Sequence, residues 1–332
     1  MSKTLIFVFG LLCATASADP CLKRRGALDI GSGATKAFAA VVDVCKKKIV
    51  ETLFDQKIPI AFGDTREHDP KNEIPLSFAQ AAGKKISNLV KEMKEKRLER
   101  IDAVATAAFR AAANGPAAAA EIAKQSQITV KILSQQEEAE IGAQSALAQL
   151  PPKKTAAAKP VIVWDIGGGS MQMWSKGKDQ NQVFMGDLAA VTFKNRIIRE
   201  LKNQNPAQVY SPNPLGAQSA GAVALAADHA KSNVPEYFKK KAGSARWVGL
   251  GGVLALSVQK QVAKDKKEFS ETAVKKALEQ RAALQDSEIE SEYRATEISN
   301  LALVLGYMRA LKIKTVETVE ASLVQGWLLH QP

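Results

Sequence analysis

Residues 161–170 read Val161-Ile162-Val163-Trp164-Asp165-Ile166-Gly167-Gly168-Gly169-Ser170, a short apolar strand that delivers a carboxylate to a turn of three glycines. The next residues, Met171 to Ser175, alternate like a second strand rather than opening a helix. The dinucleotide fingerprint and the P-loop both need a helix after the turn, so neither fits. Backbone N–H groups in such a turn can converge on an anion, and the neighbouring Asp165 indicates a metal-bound phosphate.

The same pattern occurs near the start of the chain. Gly26 to Gly33 reads Gly-Ala-Leu-Asp-Ile-Gly-Ser-Gly, with Asp29 in the place of Asp165, and an apolar run to Val44 follows. One glycine hairpin would be weak support, because most glycine turns are only turns. Two copies, one in each half of the chain, predict two similar domains that face each other across a phosphate-binding cleft. A third strand with glycines, Trp247 to Val253, is expected to close one wall.

The whole chain has an ordinary composition for a globular protein. Its 332 residues suffice for two domains, and the composition excludes disorder and coiled coil as overall classes. The formal charge of +12 favours a polyanionic partner, but no aromatic-basic signature of sequence-specific nucleic-acid binding is present. Three separated histidines argue against a zinc site or a Ser/His triad.

The N-terminus has the pattern of a secretion signal over residues 1–18. Lys3 supplies a positive start, Leu5 to Leu12 an apolar core, and Ala16-Ser17-Ala18 a small-residue cleavage site. The apolar run is too short for a permanent transmembrane anchor. We therefore expect an exported, periplasmic protein; a buried N-terminal strand is the alternative.

Two cysteines, Cys21 and Cys45, remain after removal of the signal. If the first turn is centred near Gly33, they lie at equal distances from it, at the open end of paired antiparallel strands. Cross-strand neighbours are close enough for a disulfide, so we predict a Cys21–Cys45 bridge.

Strands and helices alternate after the first hairpin, which argues for a mixed α/β fold. We expect a loop over 63–75, a strand over 101–109 and a helix opened by the capping box Ser134 to Glu137. Residues 151–160, rich in proline, lysine and alanine, have linker composition. The predicted domains are therefore residues 19–150 and 161–332.

Two glutamates at the junction are candidates for a general base. Glu137 holds the capping-box position, which is a sufficient structural role for its carboxylate. Neighbours on a helix diverge by about 100°, so only one of the pair can point at a given spot. Glu138 has no such structural role, and we predict that it is the base.

Five motifs occur in order and together carry a family resemblance. They are Asp29-Ile-Gly-Ser32, Arg110-Ala-Ala-Ala-Asn114, Ser134-Gln-Gln-Glu-Glu-Ala139, Asp165-Ile-Gly-Gly-Gly-Ser170 and Gly249-Leu-Gly-Gly252. They resemble the exopolyphosphatase / guanosine pentaphosphate phosphohydrolase (Ppx/GppA) family, within the actin–Hsp70–sugar kinase superfold. The resemblance covers about residues 24–330 and implies two ribonuclease H-like domains.

The resemblance also implies a Mg²⁺-dependent hydrolase that removes terminal phosphate from polyphosphate or from a polyphosphorylated nucleotide. By position, Glu138 matches the base, Asp165 and Asp29 the metal site, and Arg110 a phosphate contact; Lys36 stands near a family position that is often basic. The implied phosphate cradle consists of glycine-turn residues: Gly31, Ser32, Gly33, Gly167, Gly168, Gly169, Ser170, Gly251 and Gly252.

The chain departs from the family pattern at the first and third turns. Gly33-Ala34 stands where the family usually has Asn-Ser, and Val253 where a Thr is common. These departures leave three functions open: an exopolyphosphatase, a nucleotide phosphohydrolase, and an exported, catalytically weak protein that binds polyphosphate or nucleotide. A homodimer also stays open.

Overall fold

The computed structural model describes residues 19–150, 159–263 and 265–330; the predicted signal, 1–18, and residues 151–158 of the predicted linker lie outside these ranges. The strands are β1 Leu22–Ile30, β2 Ala34–Asp43, β3 Lys48–Pro59, β4 Arg100–Ala105, β5 Val130–Ile132, β6 Val161–Ile166, β7 Met171–Ser175, β8 Gln182–Gly186, β9 Arg246–Leu250, β10 Glu268–Ser270 and β11 Thr315–Thr318. The α-helices are α1 Phe62–His68, α2 Leu76–Lys94, α3 Ala107–Ala111, α4 Gly115–Ser126, α5 Gln135–Gln149, α6 Ala190–Glu200, α7 Ser219–Asn233, α8 Glu236–Ala242, α9 Gln259–Val262, α10 Glu271–Arg281, α11 Arg294–Ala310 and α12 Leu323–His330. Within the described ranges, none of the helices combines the length and apolar character needed to span a membrane.

The first sheet has the strand order β3-β2-β1-β4-β5. β1, β2 and β3 form an antiparallel meander, whereas β4 pairs in parallel with β1 and with β5. Ile30 pairs with Thr35, so the predicted first glycine turn is the tip of the β1–β2 hairpin. Asp29 therefore stands one residue before the end of the central strand.

The second sheet has the order β10-β11-β9-β6-β7-β8. β6, β7 and β8 form a second meander, and β9 pairs in parallel with β6 and β11. Read from β8 to β11, the arrangement repeats that of the first sheet, and Ile166 pairs with Met171 across the second turn. Asp165 thus has the same place in β6 as Asp29 has in β1, and the predicted repeat is confirmed.

Two helices cross between the halves of the chain. α5 precedes residue 150 but packs Ala143 on Val163 of the second sheet. α12 ends the described chain but packs Leu328 on Phe38 of the first sheet. A division at residues 151–160 separates the strands of the two sheets, but not these helices, because each buries apolar residues on the sheet of the other half.

Two local expectations were wrong. The predicted loop over 63–75 contains most of α1, and the predicted strand over 101–109 ends at Ala105 and is followed by α3. The physical reason is a ring contact: Phe62 and Phe109 pack with their centroids 4.9 Å apart, which joins α1 to α3. This short helix places Arg110 at the domain junction.

The predicted disulfide between Cys21 and Cys45 is present, with a Cα–Cα distance of 5.4 Å. The neighbouring register explains it: Leu22 pairs with Asp43, and the Val44 N–H donates to the Cys21 carbonyl at 2.8 Å. The bridge therefore closes the open end of the β1–β2 hairpin, opposite the glycine turn.

Candidate functional site

Asp29 and Asp165 lie half-buried at corresponding positions in the two sheets. Oδ1 of Asp29 is covered from solvent and has no hydrogen-bond partner among the described residues. Burial, with a smaller contribution from the Glu138 charge, raises the pKa of Asp29 to about 7. Burial and the charges of Glu138 and Asp29 likewise raise the pKa of Asp165 well above its ordinary value. The negative charges of the three carboxylates repel one another. A bound cation would reduce this repulsion.

The first and second glycine turns contact each other. A methyl group at Gly168 would lie 3.0 Å from Cβ of Ser32 and 3.1 Å from the Gly33 nitrogen. A methyl group at Gly169 would lie 3.2 Å from Cβ of Ala107. Glycine is therefore required here by close approach. In this conformation Ser32 and Ser170 are buried. The two glycine turns that were predicted to bind phosphate therefore lie directly against each other.

The third turn packs directly against the second carboxylate. Gly251 has φ of +79°, and any Cβ there would collide with Oδ1 of Asp165. Gly252 is exposed and begins a π-helix, Gly252–Val258. The predicted third wall is thus formed, with Gly251 against the carboxylate and Gly252 at the mouth.

The capping box predicted at the start of α5 is confirmed. The Glu137 N–H donates to Ser134 Oγ at 3.2 Å, and the Ser134 N–H donates to Oε2 of Glu137 at 2.8 Å. A hydrogen bond from Lys131, followed by that from Ser134, lowers the pKa of Glu137 to about 2. The Glu137 carboxylate is occupied in holding the helix end, as the sequence predicted.

Glu138 instead turns into the domain junction, where its side chain is 8% exposed. Its Oε2 lies 2.7 Å from Nη1 of Arg110. Arg110 also donates to the Leu133 carbonyl at 3.0 Å and to Ser170 Oγ at 3.3 Å. Burial raises the pKa of Glu138, although Arg110 and the Ser170 hydroxyl oppose this shift. Arg110, predicted as a phosphate contact, is paired with the predicted base in this conformation.

A cavity of about 10 Å³ lies beside Glu138, lined in part by Gly142, Asp165, Gln172 and Leu250. This volume suits about one water molecule. Sequence reasoning missed both Gly142 and Gln172. Gly142 lies one helical turn after Glu138, and a methyl group there would be 3.8 Å from Oδ2 of Asp165; Gln172 pairs with Asp165 across the β6–β7 hairpin.

Two lysines extend the site along the first sheet. Lys36 pairs in register with Asp29, and its Nζ lies 3.7 Å from Oδ1 of Asp55. Lys57, which sequence reasoning missed, pairs in register with Lys36 from β3. The pairing of β2 with β3 could have identified Lys57 from the sequence. That pairing depends, however, on where the turn after Asp43 is placed.

A larger cavity, of about 470 Å³, opens elsewhere. Its lining includes Lys176, Lys178, Tyr237 and Lys241, at the β7–β8 turn. β7 begins at the second glycine turn and ends before Lys176, so this cavity lies at the opposite end of the strand from Asp165. It is not part of the carboxylate site.

The donor set at the junction fits a hard cation. Asp29, Asp165 and Glu138 offer carboxylate oxygens, the ligands that Mg²⁺ prefers. Among the described residues, the oxygens of these three groups do not all come within 4.8 Å of one another, so binding one ion directly by all three would require the carboxylates to move closer. Cys21, Asp43 and Cys45 do come that close, but both cysteines are in the disulfide.

Solved structures share this architecture. The Aquifex aeolicus PPX-GPPA enzyme is 16% identical, with a TM-score of 0.68, over 93% of this chain and 100% of that one. An exopolyphosphatase from Cytophaga hutchinsonii is 16% identical, with a TM-score of 0.70, over 92% of this chain and 96% of that one. At these identities the likeness shows the fold, two actin-like domains, as predicted. No curated protein matches the chain.

The family comparison covers most of the sequence. The model of the Ppx/GppA phosphatase family matches residues 40–331. This range includes Arg110, Glu138, Asp165 and the third turn, and it starts after the first turn, residues 31–33. The chain belongs to the Ppx/GppA phosphatase family.

Proposed function

We propose that this phosphohydrolase is an exopolyphosphatase that releases terminal phosphate from inorganic polyphosphate. The observation that carries the proposal is the position of Glu138. It lies buried beside Arg110, next to a cavity for about one water molecule, with the second glycine turn and Asp165 adjacent. A base, a space for water and a phosphate cradle are thus within one junction.

In the proposed reaction, Glu138 accepts a proton from water as the water oxygen bonds to the terminal phosphorus. The bond from that phosphorus to the bridging oxygen breaks, and the shortened chain leaves with its electron pair. The N–H groups of Gly31 and Gly167 each donate to a carbonyl across their own turn, those of Ala34 and Ser170. The N–H groups of Gly33, Gly168 and Gly169 instead orient the phosphoryl group, while Arg110 and Lys36 neutralise charge on its oxygens. Asp29 and Asp165 would hold Mg²⁺, which when bound supplies further neutralisation of phosphate charge.

The raised pKa of Glu138 suits this task, because a base whose pKa approaches the working pH accepts a proton more readily. Arg110 then has two roles in succession. It keeps Glu138 in place without substrate, and it turns to phosphate oxygens when the two glycine turns separate to admit substrate.

The predicted export favours polyphosphate over a nucleotide substrate. The signal pattern at 1–18 and the disulfide suit an oxidising compartment outside the cytosol, where guanosine pentaphosphate is not found. Gly33-Ala34 and Val253 support the competing possibility of a weak enzyme that mainly binds the polyanion.

A phosphate-release assay with Mg²⁺ tests the proposal on long-chain polyphosphate, tripolyphosphate and guanosine 5′-triphosphate. We expect phosphate release from polyphosphate, and we expect Glu138→Gln to slow it by on the order of 10²–10⁴. Faster release from the nucleotide would indicate a nucleotide phosphohydrolase. Polyphosphate binding without release would indicate a binding protein.

A further inference from the structure

Three side chains form a row across the meander of the first sheet. Asp29 in β1 is opposite Lys36 in β2, and Lys36 is opposite Lys57 in β3. Directly paired residues project from the same face of a sheet. Because neighbouring strands are about 4.8 Å apart, the backbone of Lys57 is about 10 Å from that of Asp29. The row therefore runs from the carboxylate site to the edge strand.

Lys57 reaches from the first domain to the second. Its Nζ lies 4.1 Å from the ring centroid of Tyr293, in the segment before α11. A methyl group at Gly252, in the third turn, would lie 3.9 Å from the same Nζ. The Lys57 side chain thus crosses from the first domain to Tyr293 and Gly252 of the second.

The charges around Lys57 leave it without a close counter-ion. The Lys36 and Lys260 charges lower the pKa of Lys57, and the Asp29 and Glu292 charges raise it. Among the described residues, no carboxylate oxygen lies within 4.0 Å of its ammonium group. Asp55, the acidic residue two positions earlier, is paired with Lys36. Burial and the Lys36 charge lower the pKa of Lys57, so a bound anion would be electrostatically favourable.

We propose that Lys57 forms a second anion site, which binds phosphates of the substrate on the leaving side of the scissile bond. This inference rests on the proposed function. The Lys57 ammonium lies at Gly252, at the mouth of the site, whereas the reacting phosphate is proposed to lie at the first two turns, so a long chain offers it more phosphates than a short one. Lys57 is therefore a specificity-determining residue that favours long polyphosphate over tripolyphosphate.

The kinetic test compares Lys57→Met with Lys48→Met. Lys48 is an exposed lysine at the other end of β3, so its loss changes the net charge equally. In wild type we expect a lower KM for long chains than for tripolyphosphate. Lys57→Met should reduce this preference about tenfold, the size of one lost charge-assisted contact, and Lys57→Arg should restore part of it. Lys48→Met should keep the preference.

A binding test separates this inference from the proposed function. In the Glu138→Gln background, affinity for long polyphosphate is measured by titration with and without Lys57→Met. A tenfold loss, with a shallower dependence on salt, supports the site even if wild type hydrolyses nothing. Equal losses for Lys57→Met and Lys48→Met, or an equal rise in KM for both chain lengths, overturn it, because a general charge effect would explain them.

Discussion

Nζ of Lys194 lies 2.9 Å from Oδ1 of Asp64, and this pair joins the two domains behind the glycine turns. Lys194 is on α6 of the second domain and Asp64 on α1 of the first. The first turn of each helix is hydrogen-bonded to one glycine turn. The Gly63 N–H donates to the Ser32 carbonyl, and the Val191 N–H donates to the Gly168 carbonyl, both at 2.7 Å. The ion pair therefore fixes how the turns face each other.

Removing one partner of this pair should destabilise the protein strongly. Lys194→Met leaves the buried Asp64 carboxylate without its cation, so we expect the free energy of unfolding to fall by about 3 kcal/mol. Denaturant titration measures this. The control is Arg196→Met on the same helix, whose exposed pair with Glu200 contributes under about 0.5 kcal/mol. Equal effects of the two substitutions would contradict a special role for the buried pair.

The two neighbouring glutamates should separate catalysis from stability. Glu138→Gln removes the base, so kcat should fall by on the order of 10²–10⁴ with little loss of stability. Glu137→Ala removes the side chain that closes the capping box and should cost about 1 kcal/mol while activity stays within a few fold of wild type. Phosphate release and thermal unfolding are measured on both. Wild-type turnover in Glu138→Gln would refute the assignment of the base.

A methyl group between the turns should be tolerated poorly. Gly168→Ala forces Ser32 and Gly33 away, and we expect about 1–3 kcal/mol of destabilisation together with reduced activity. Gly243→Ala is the matched control, because a Cβ there meets nothing within 4 Å. Unfolding curves and initial rates compare the two. If Gly168→Ala behaved like Gly243→Ala, the close contact of the turns would be wrong.

Asp29→Asn should stabilise the metal-free protein at alkaline pH. Its pKa is about 7 in the folded protein against an ordinary 3.8, so the folded state favours the protonated carboxyl. That stabilisation is full below about pH 4 and is lost as the pH rises through about 7. At pH 8 the Asn variant should therefore exceed wild type by on the order of 1 kcal/mol, and at pH 4 the difference should vanish. Unfolding in a chelator at both pH values tests this; the exposed Asp179→Asn should show no such dependence on pH.

Loss of the disulfide should weaken the first domain. The bridge closes a loop with a sequence separation of 24, for which chain entropy predicts a contribution of about 3 kcal/mol. We expect Cys21→Ala/Cys45→Ala to lower the melting temperature, and a reductant to lower that of wild type but not of the variant. Two free thiols in protein isolated after export would contradict a role for the bridge in the mature protein.

The local features of the site could be predicted because neighbours in the chain form them. The hairpin that places Asp29 beside its turn is formed by residues at most ten positions away from Asp29 in the chain. The capping hydrogen bonds between Ser134 and Glu137 join residues that are three positions apart. Alternation, glycine turns and caps are therefore visible in the sequence. The repeat at Asp165 then implied a second, similar sheet.

What the sequence by itself determined was the two hairpins, the carboxylates that they carry, the disulfide and the capping role of Glu137. Only the tertiary structure decided that Arg110 pairs with Glu138, that Ser32 contacts Gly168, and that Lys57 crosses to Tyr293. These contacts join residues that are distant in the chain. They depend on how two sheets and the crossing helices α5 and α12 pack together, which no local pattern specifies.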